Sequence, residues 1–263
     1  MELRGWDYTG RNIGTDLHRQ LKIMVDCLSD MSFVGSLAWG TTLQEKLAKE
    51  IGVSSSGAVR TVKKMCDNFG IFLPSALSSR ETISPDRLLS QRGKIIYQAA
   101  TLEMQIVSSD GLSKNIKQKA LEEVKHLYEE AYCEALLYYH FENPDGTYFY
   151  PLRATIKALR KYKSLDKWEW YLLNTFIRHN DDSEEEAVLD SHIELYRKGL
   201  YTFTMENVTE KPKGHQYIPQ YFEFAGLVNI VQRPNWRATD NQNHLEIKDQ
   251  ALTIIYENIK QGD

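Results

Sequence analysis

The sequence is poor in the features that most directly assign a function. It has three cysteines, Cys27, Cys66 and Cys133. Odd in number and widely spaced, they support neither a disulfide framework nor a Cys-x-x-Cys zinc site. No uncharged run approaches the roughly 18 residues that a membrane span needs. The start, Met1-Glu2-Leu3-Arg4-Gly5-Trp6-Asp7, lacks the apolar stretch of a signal peptide. The expected setting is the reducing cytoplasm, with no membrane partner. No Gly-x-x-x-x-Gly-Lys-Ser/Thr loop and no Gly-x-Gly-x-x-Gly is present, so nucleotide hydrolysis and dinucleotide binding have no support. The seven histidines form no His-x-His or His-Glu-x-x-His pair. No metal and no organic cofactor is therefore expected.

An excess of positive charge is also missing. The 263 residues carry 32 Lys+Arg against 36 Asp+Glu, a net charge of −4. A protein that coats nucleic acid without regard to sequence is strongly basic, so any nucleic-acid contact here must use local patches. The balance is uneven along the chain. Residues 1–107 hold 13 basic and 11 acidic side chains, which leaves 19 and 25 for the remainder. Much of that acidic excess is one run, Asp181-Asp182-Ser183-Glu184-Glu185-Glu186. With 42% hydrophobic and 26% charged residues, the rest is ordinary globular composition.

The hydrophobic periodicity predicts a mainly α chain with small β-hairpin wings: two winged helix-turn-helix modules joined by a long helix. Leu17, Leu21, Met24 and Leu28 mark a first helix, with Thr15 or Asp16 as N-cap. Thr41 or Thr42 caps a second, Leu43 to Ile51, which ends at Gly52. The segment Val53-Ser54-Ser55-Ser56 turns into a third helix that reaches Phe69 and stops at Gly70. Two helices joined by a short Gly-containing turn form the helix-turn-helix pattern. Ile71-Phe72-Leu73 and Arg87-Leu88-Leu89 then read as paired strands around a turn-rich segment, and Ser90 caps a closing helix. Residues 1–107 thus make module one. Residues 108–142 read as a polar break and a connector helix, from about Asn115 to His140, whose apolar face is Ile116, Ala120, Val124, Leu127, Ala131 and Leu136.

Residues 143–263 read as a second winged-helix-like module. Asn143-Pro144-Asp145-Gly146 is a turn, and Pro151 opens a helix. Ser164 caps the next, Leu165 to Ile177, and Ser183 caps a third that runs to Lys198. A helix near 217–225 leads into Gly226-Leu227-Val228-Asn229-Ile230-Val231. A polar loop, 232–243, precedes the strand Leu245-Glu246-Ile247 and a last helix with Ile254, Ile255 and Tyr256. Helix, glycine, strand, loop, strand and helix recur in the same order in both halves, which marks a single duplication.

In the third helix, Val59, Val62, Cys66 and Phe69 form the buried stripe. Cys66 is therefore expected to pack, not to react. Ser55, Ser56, Arg60, Lys63, Lys64 and Asp67 are left on the outer faces. Residues early in a recognition helix meet base edges, while serine hydroxyls and lysines hold phosphates. Arg80 marks the tip of the first wing. Lys211, Lys213, His215, Gln216 and Gln220 provide a basic and polar approach to the second module. Arg233 and Arg237 lie on its long loop, beside Trp236 and the purine-matching side chains Asn241, Gln242 and Asn243. These residues form the expected double-stranded DNA contact.

Catalysis finds weaker footing. A metal-dependent nuclease centre combines an acid with a downstream Glu-x-Lys. Glu246-Ile247-Lys248 sits in a strand, but its nearest upstream acid, Asp240, is too close. Glu123-Val124-Lys125 has Asp110 at suitable distance but lies in a helix. No catalytic residue is assigned.

Asn68-Phe69-Gly70-Ile71, Leu89-Ser90-Gln91-Arg92-Gly93 and Phe224-Ala225-Gly226-Leu227 carry a resemblance. A recognition helix running into Phe-Gly, a wing, and Leu-Ser-x-x-Gly opening a helix is similar to the DNA-recognition regions of type IIS restriction endonucleases, FokI and its relatives. That resemblance implies sequence-specific recognition of duplex DNA in a restriction or phage-defence system. The family's nuclease domain has no counterpart here, so cleavage would fall to a separate nuclease domain or subunit. Two other readings stay open: a winged-helix transcriptional regulator or replication initiator, and a protein–protein assembly factor favoured by the acidic second half.

Overall fold

The computed structural model describes residues 15–78, 83, 87–201, 218–234 and 241–247. They are mainly helical with small antiparallel strand pairings, and the chain divides into two compact units at Tyr138–Tyr139. Among them, no helix is long and apolar enough to cross a membrane.

The first unit contains α1 (Thr15–Ser29), α2 (Met31–Val34), α3 (Thr41–Ile51), α4 (Ser56–Asn68), α5 (Gln91–Ser108) and α6 (Lys114–Tyr138). The predicted apolar faces are the buried ones: Leu17, Leu21, Met24 and Leu28 on α1, Leu43, Leu47, Ala48 and Ile51 on α3. Caps differ from expectation. Thr15 and Asp16 already lie inside α1, and the N-cap of α3 is Gly40, not Thr41 or Thr42. The one-turn α2 has no apolar period to announce it; the Asp30 carboxylate nucleates it by accepting from the Ser32 amide.

After α4 the chain closes on itself through its backbone. Phe72 and Leu89 form one antiparallel bridge, a smaller pairing than the two three-residue strands expected. Leu73 donates to the Leu88 carbonyl at 3.0 Å, and Ser90 donates to the Ile71 carbonyl at 3.0 Å. The Ser90 hydroxyl donates to the Gly70 carbonyl at 2.6 Å and accepts from the Gly93 amide at 3.1 Å, capping α5 as predicted. Gly93 passes so near this turn that a Cβ on it would stand 2.2 Å from the Ile71 carbonyl oxygen. That contact is with main chain, which cannot rotate away.

The long α6 belongs to the first unit, packed along α5, and is not a connector lying outside both modules. Its buried face is also turned from the expected one. Val124, Ala131 and Leu136 are inside as predicted, but Tyr128, Tyr132 and Ala135 join them, while Ile116 and Leu127 are exposed. The reason is a buried polar node. His18 on α1 and Glu103 on α5 are 1% and 9% exposed. His18 Nδ1 lies 3.1 Å from Glu103 Oε2, His18 Nε2 lies 3.2 Å from the Tyr132 hydroxyl, and the Tyr128 hydroxyl donates to Glu103 at 2.8 Å. The His18 ring also stacks on Tyr128, 3.9 Å between centroids. Buried polar groups must be hydrogen-bonded, so α6 turns its tyrosines inward. Burial, and then the Glu103 charge, push the Tyr128 phenol well above its ordinary pKa.

The second unit starts with a hairpin, β1 (Phe141–Glu142) and β2 (Tyr148–Phe149), around the predicted Asn143–Gly146 turn. Next come α7 (Pro151–Tyr162), β3 (Ser164–Leu165), α8 (Lys167–Phe176), α9 (Ser183–Arg197), α10 (Ile218–Phe224), β4 (Val228–Pro234) and β5 (Asn241–Ile247). Pro151 is the first residue of α7, as predicted. Ser164 does not cap α8, because Ser164 and Leu165 pair with Glu246 and Leu245 of β5. Asp166 is the cap: its carboxylate accepts the Trp168 and Glu169 amides, while the Glu169 carboxylate accepts the Asp166 amide. A carboxylate also complements the positive helix start better than a hydroxyl. The Tyr196 hydroxyl and Arg197 guanidinium complete a second buried polar node on Asp166 and Glu169.

The sheet order is β3-β5-β4, antiparallel throughout. The β4–β5 ladder runs from Val228↔Ile247 to Pro234↔Asn241, so residues 232–234 and 241–243, both ends of the predicted 232–243 loop, are strand. The helix stops at Gly70 and Gly226 match: each glycine is left-handed, and the next amide reaches back five residues, Ile71 to Cys66 and Leu227 to Phe222. Gly52 and Gly199 end their helices the same way, so this local likeness is a general stop and not a mark of duplication. The predicted last helix lies outside the described residues.

Two substitutions test this architecture. Gly→Ala inside a helix ordinarily stabilises by up to about 1 kcal/mol; at Gly93 it should instead destabilise by roughly 1–3 kcal/mol in urea unfolding, through the forced shift of the Ile71 carbonyl. Tyr128→Phe should cost about 1–3 kcal/mol, because the buried Glu103 carboxylate loses a donor. A loss below about 0.5 kcal/mol would show that the node does not hold α6 in register.

Candidate nucleic-acid interface

The α3–turn–α4 pair carries the residues predicted to meet DNA. Gly52 ends α3, and Ser55 occupies the N-cap position of α4. Val59, Val62, Cys66 and Phe69 are buried as predicted, and Met65 joins them. Burial pushes the Cys66 thiol far above its ordinary pKa, which suits a packing residue and not a nucleophile. With that stripe inside, Ser55, Arg60 and Lys64 are exposed, and Ser56 and Lys63 half-buried.

These side chains are not equivalent. The Ser55 hydroxyl makes no capping bond. Arg60 Nη1 donates to Gln44 Oε1 at 3.1 Å and to Ser56 Oγ at 3.2 Å. Lys63 pairs with Asp67 one turn on, and its ammonium lies 6.0 Å from the centre of the Trp39 ring. Lys64 has no carboxylate partner among the described residues. A cation already paired gives up part of its attraction for an anion, so of the two Lys64 is the more available. Sequence reasoning missed Gln44. It sits within the apolar face of α3 and is 6% exposed, a polar residue at a core position that the periodicity alone flags.

The remaining predicted contacts are not gathered here. Arg80, Lys211, Lys213, His215, Gln216, Trp236 and Arg237 lie outside the described residues. Arg233 is a strand residue of β4, paired with Gln242 of β5, and not part of a long loop. The two Glu-x-Lys candidates fare as follows. Glu123 and Lys125 lie on the surface of α6, two residues apart on a helix and so facing different ways, and Lys125 pairs with Glu129. Glu246 pairs with Ser164 and Asn229 across the sheet; Asp240 and Lys248 lie outside the described residues.

The acidic run of the second unit is engaged within that unit. Helix α7 and its last turn bear Arg153, Lys157, Arg160, Lys161 and Lys163 with no acid, a pattern readable in the sequence and overlooked. Lys157 contacts Asp181 and Glu186, both at 2.6 Å, and Lys161 contacts Asp190 at 2.6 Å. Burial pulls the Lys157 ammonium down in pKa, but its two carboxylates outweigh this and hold it above the ordinary value. Lys157, Lys161, Asp181 and Glu186 line a cleft of about 180 Å3 together with Arg153 and His179.

Asp182, not Ser183, caps α9, accepting the Glu184 and Glu185 amides. Glu185 turns back to accept the Arg178 and His179 amides and lies 2.9 Å from His179 Nδ1. His179, Asp182 and Glu185 thus bring donor atoms within 4.8 Å of one another, and these hydrogen bonds account for the cluster as a helix start.

Asp182→Ala should lower the stability of the protein by about 1 kcal/mol, whereas Ser183→Ala should change it by less than about 0.5 kcal/mol. The reverse ranking in thermal or urea melts would return the cap to Ser183. No protein-family model, curated protein or solved structure matches the chain, so its function is argued from this geometry.

Proposed function

We propose that the protein recognises double-stranded DNA by sequence, with α4 as the reading helix, and that it serves as the recognition part of a restriction or phage-defence endonuclease system. The observation that carries the reading is the α3–turn–α4 pair. It buries one face of α4 and presents Ser55, Ser56, Arg60 and Lys64 together on the other. The order that follows, an antiparallel bridge and then the capped α5, supports a winged helix-turn-helix for the first unit. For the second unit the support is the sheet β3-β5-β4, in which the strand preceding α8 pairs beside a two-stranded wing. The fit to DNA is chemical. Serine hydroxyls and a lysine hold phosphates, and an arginine near the start of a groove-entering helix reads a base edge. Cleavage is assigned to a nuclease domain or subunit other than this pair of units.

The acidic second half gives little support to an assembly-factor reading, because Asp181, Asp182, Glu185 and Glu186 are engaged by Lys157, by the α9 start and by the 178–179 amides.

Selection from random duplexes should return one enriched motif at moderate salt. Binding to it should weaken with salt at a log–log slope of about −0.9 per phosphate contact. Lys64→Ala should weaken all sequences alike and flatten that slope by about one contact. Lys63→Ala should do less, since Asp67 already shares its charge. Selection that enriches nothing removes the proposal.

A further inference from the structure

An arginine on a helix surface has many rotamers and reads a base from only one of them. Its planar fork is specific when something holds it. Arg60 is held. Nη1 makes both of its bonds, to Gln44 Oε1 at 3.1 Å and Ser56 Oγ at 3.2 Å. The acceptor is itself fixed, because Gln44 is 6% exposed and lies on α3 between Leu43 and Leu47, both fully buried. Nη2 and Nε have no partner among the described residues. Those two donors form the other edge of the guanidinium fork, the pair that can meet the O6 and N7 acceptors of guanine together.

The space before that edge is kept open by a glycine. A Cβ on Gly57 would lie 3.7 Å from Arg60 Nη2 and 3.4 Å from Ser55 Oγ, with no other atom within 4 Å. Any longer side chain there would project into the approach. A buried amide clamps one edge of the guanidinium, and a missing side chain clears the other.

We infer that Gln44 is a positioning residue that sets the protein's preference for a guanine read by Arg60, with Ser56 as the second half of the clamp. This rests on the reading of α4 as the DNA-reading helix. A stitch between α3 and α4 that served stability alone would not act on one base position. An Arg60 that held a phosphate would not act on any.

The test uses the full chain in random-duplex selection followed by competition binding at fixed salt. Wild type is compared with Arg60→Ala, Gln44→Met, Ser56→Ala and the Gln44→Met/Arg60→Ala double variant. Gln44→Met keeps length and removes the buried acceptor; Ser56→Ala removes the second acceptor at a half-buried position. Wild type should prefer guanine at one position by about tenfold to a hundredfold, and Arg60→Ala should erase that preference. Gln44→Met should reduce it at the same position at least about fivefold, with a smaller effect on unrelated duplexes, and Ser56→Ala should reduce it less. The double variant should match Arg60→Ala alone, because the two act as one unit.

An unchanged preference in both Gln44→Met and Ser56→Ala overturns the inference. So does a loss spread evenly over all sequences in Gln44→Met, or in Arg60→Ala. Each of these leaves DNA recognition by the protein standing. Wild type that selects no sequence at all overturns the DNA reading itself, and the two failures are thereby told apart.

Discussion

The carbonyl of Ile71 is where the first unit closes. Helix α4 runs directly into it through Phe69 and Gly70. On the returning chain, Ser90 donates its amide to it, and Gly93 passes so close that no Cβ fits. Main-chain contacts of this kind do not relax by changing a rotamer, so the end of α4 and the start of α5 are fixed together. From there Arg92 reaches the Gly70 carbonyl, pairs with Glu134 and lies over the Tyr138 ring, which carries the same constraint to α6. The orientation of the outer face of α4 is therefore a consequence of backbone packing behind it. The Leu-Ser-x-x-Gly pattern gains a physical meaning: the serine must both donate and accept, and the glycine must have no side chain.

Each unit also has a polar node, built on buried carboxylates, where separate segments meet. In the first, His18, Glu103, Tyr128 and Tyr132 join α1, α5 and α6. In the second, Asp166, Glu169, Tyr196 and Arg197 join the start of α8 to the end of α9. Apolar packing tolerates small rotations of a helix, because one aliphatic face is much like its neighbour. A buried carboxylate does not, since it must find its donors at hydrogen-bond distance or lose much stability. These nodes therefore select register where hydrophobicity alone leaves it open.

That distinction explains what the sequence made legible. Helix existence, the faces of α1, α3 and α4, the Ser90 cap, the Pro151 start and the 143–146 turn all follow from local rules. Those rules act within a few residues, so they survive without knowledge of the partner surface. The face of α6 did not follow. Ile116 and Leu127 fit a helical period as well as Tyr128 does, and the choice is made by Glu103 and His18 far away in sequence. The caps of α8 and α9 went to Asp166 and Asp182 instead of the nearby serines, because a carboxylate is the stronger acceptor at a positive helix end. At the interface, Ser55, Ser56, Arg60 and Lys64 were readable from the amphipathic pattern of α4. Gln44 stands out by its period only as a polar residue at a core position; what it does lies in a contact sixteen residues away.

The charge pattern bears on the proposed recognition of DNA. Near-neutral net charge gives no long-range pull, and many cations of both units already have acidic partners: Lys22 with Asp26, Lys63 with Asp67, Lys157 with Asp181 and Glu186, Lys161 with Asp190. Non-specific affinity scales with the number of phosphates neutralised, so internal pairing keeps that contribution small. Discrimination depends on the difference between specific and non-specific binding, and a small background widens the difference for any given base contact. Arg60 and Lys64, which lack carboxylate partners among the described residues, then matter more than their number implies. On a strongly basic surface a clamped arginine would add little to a large common attraction. On this one, under the proposed reading of α4, its orientation by Gln44 would decide whether one sequence is held in preference to the rest.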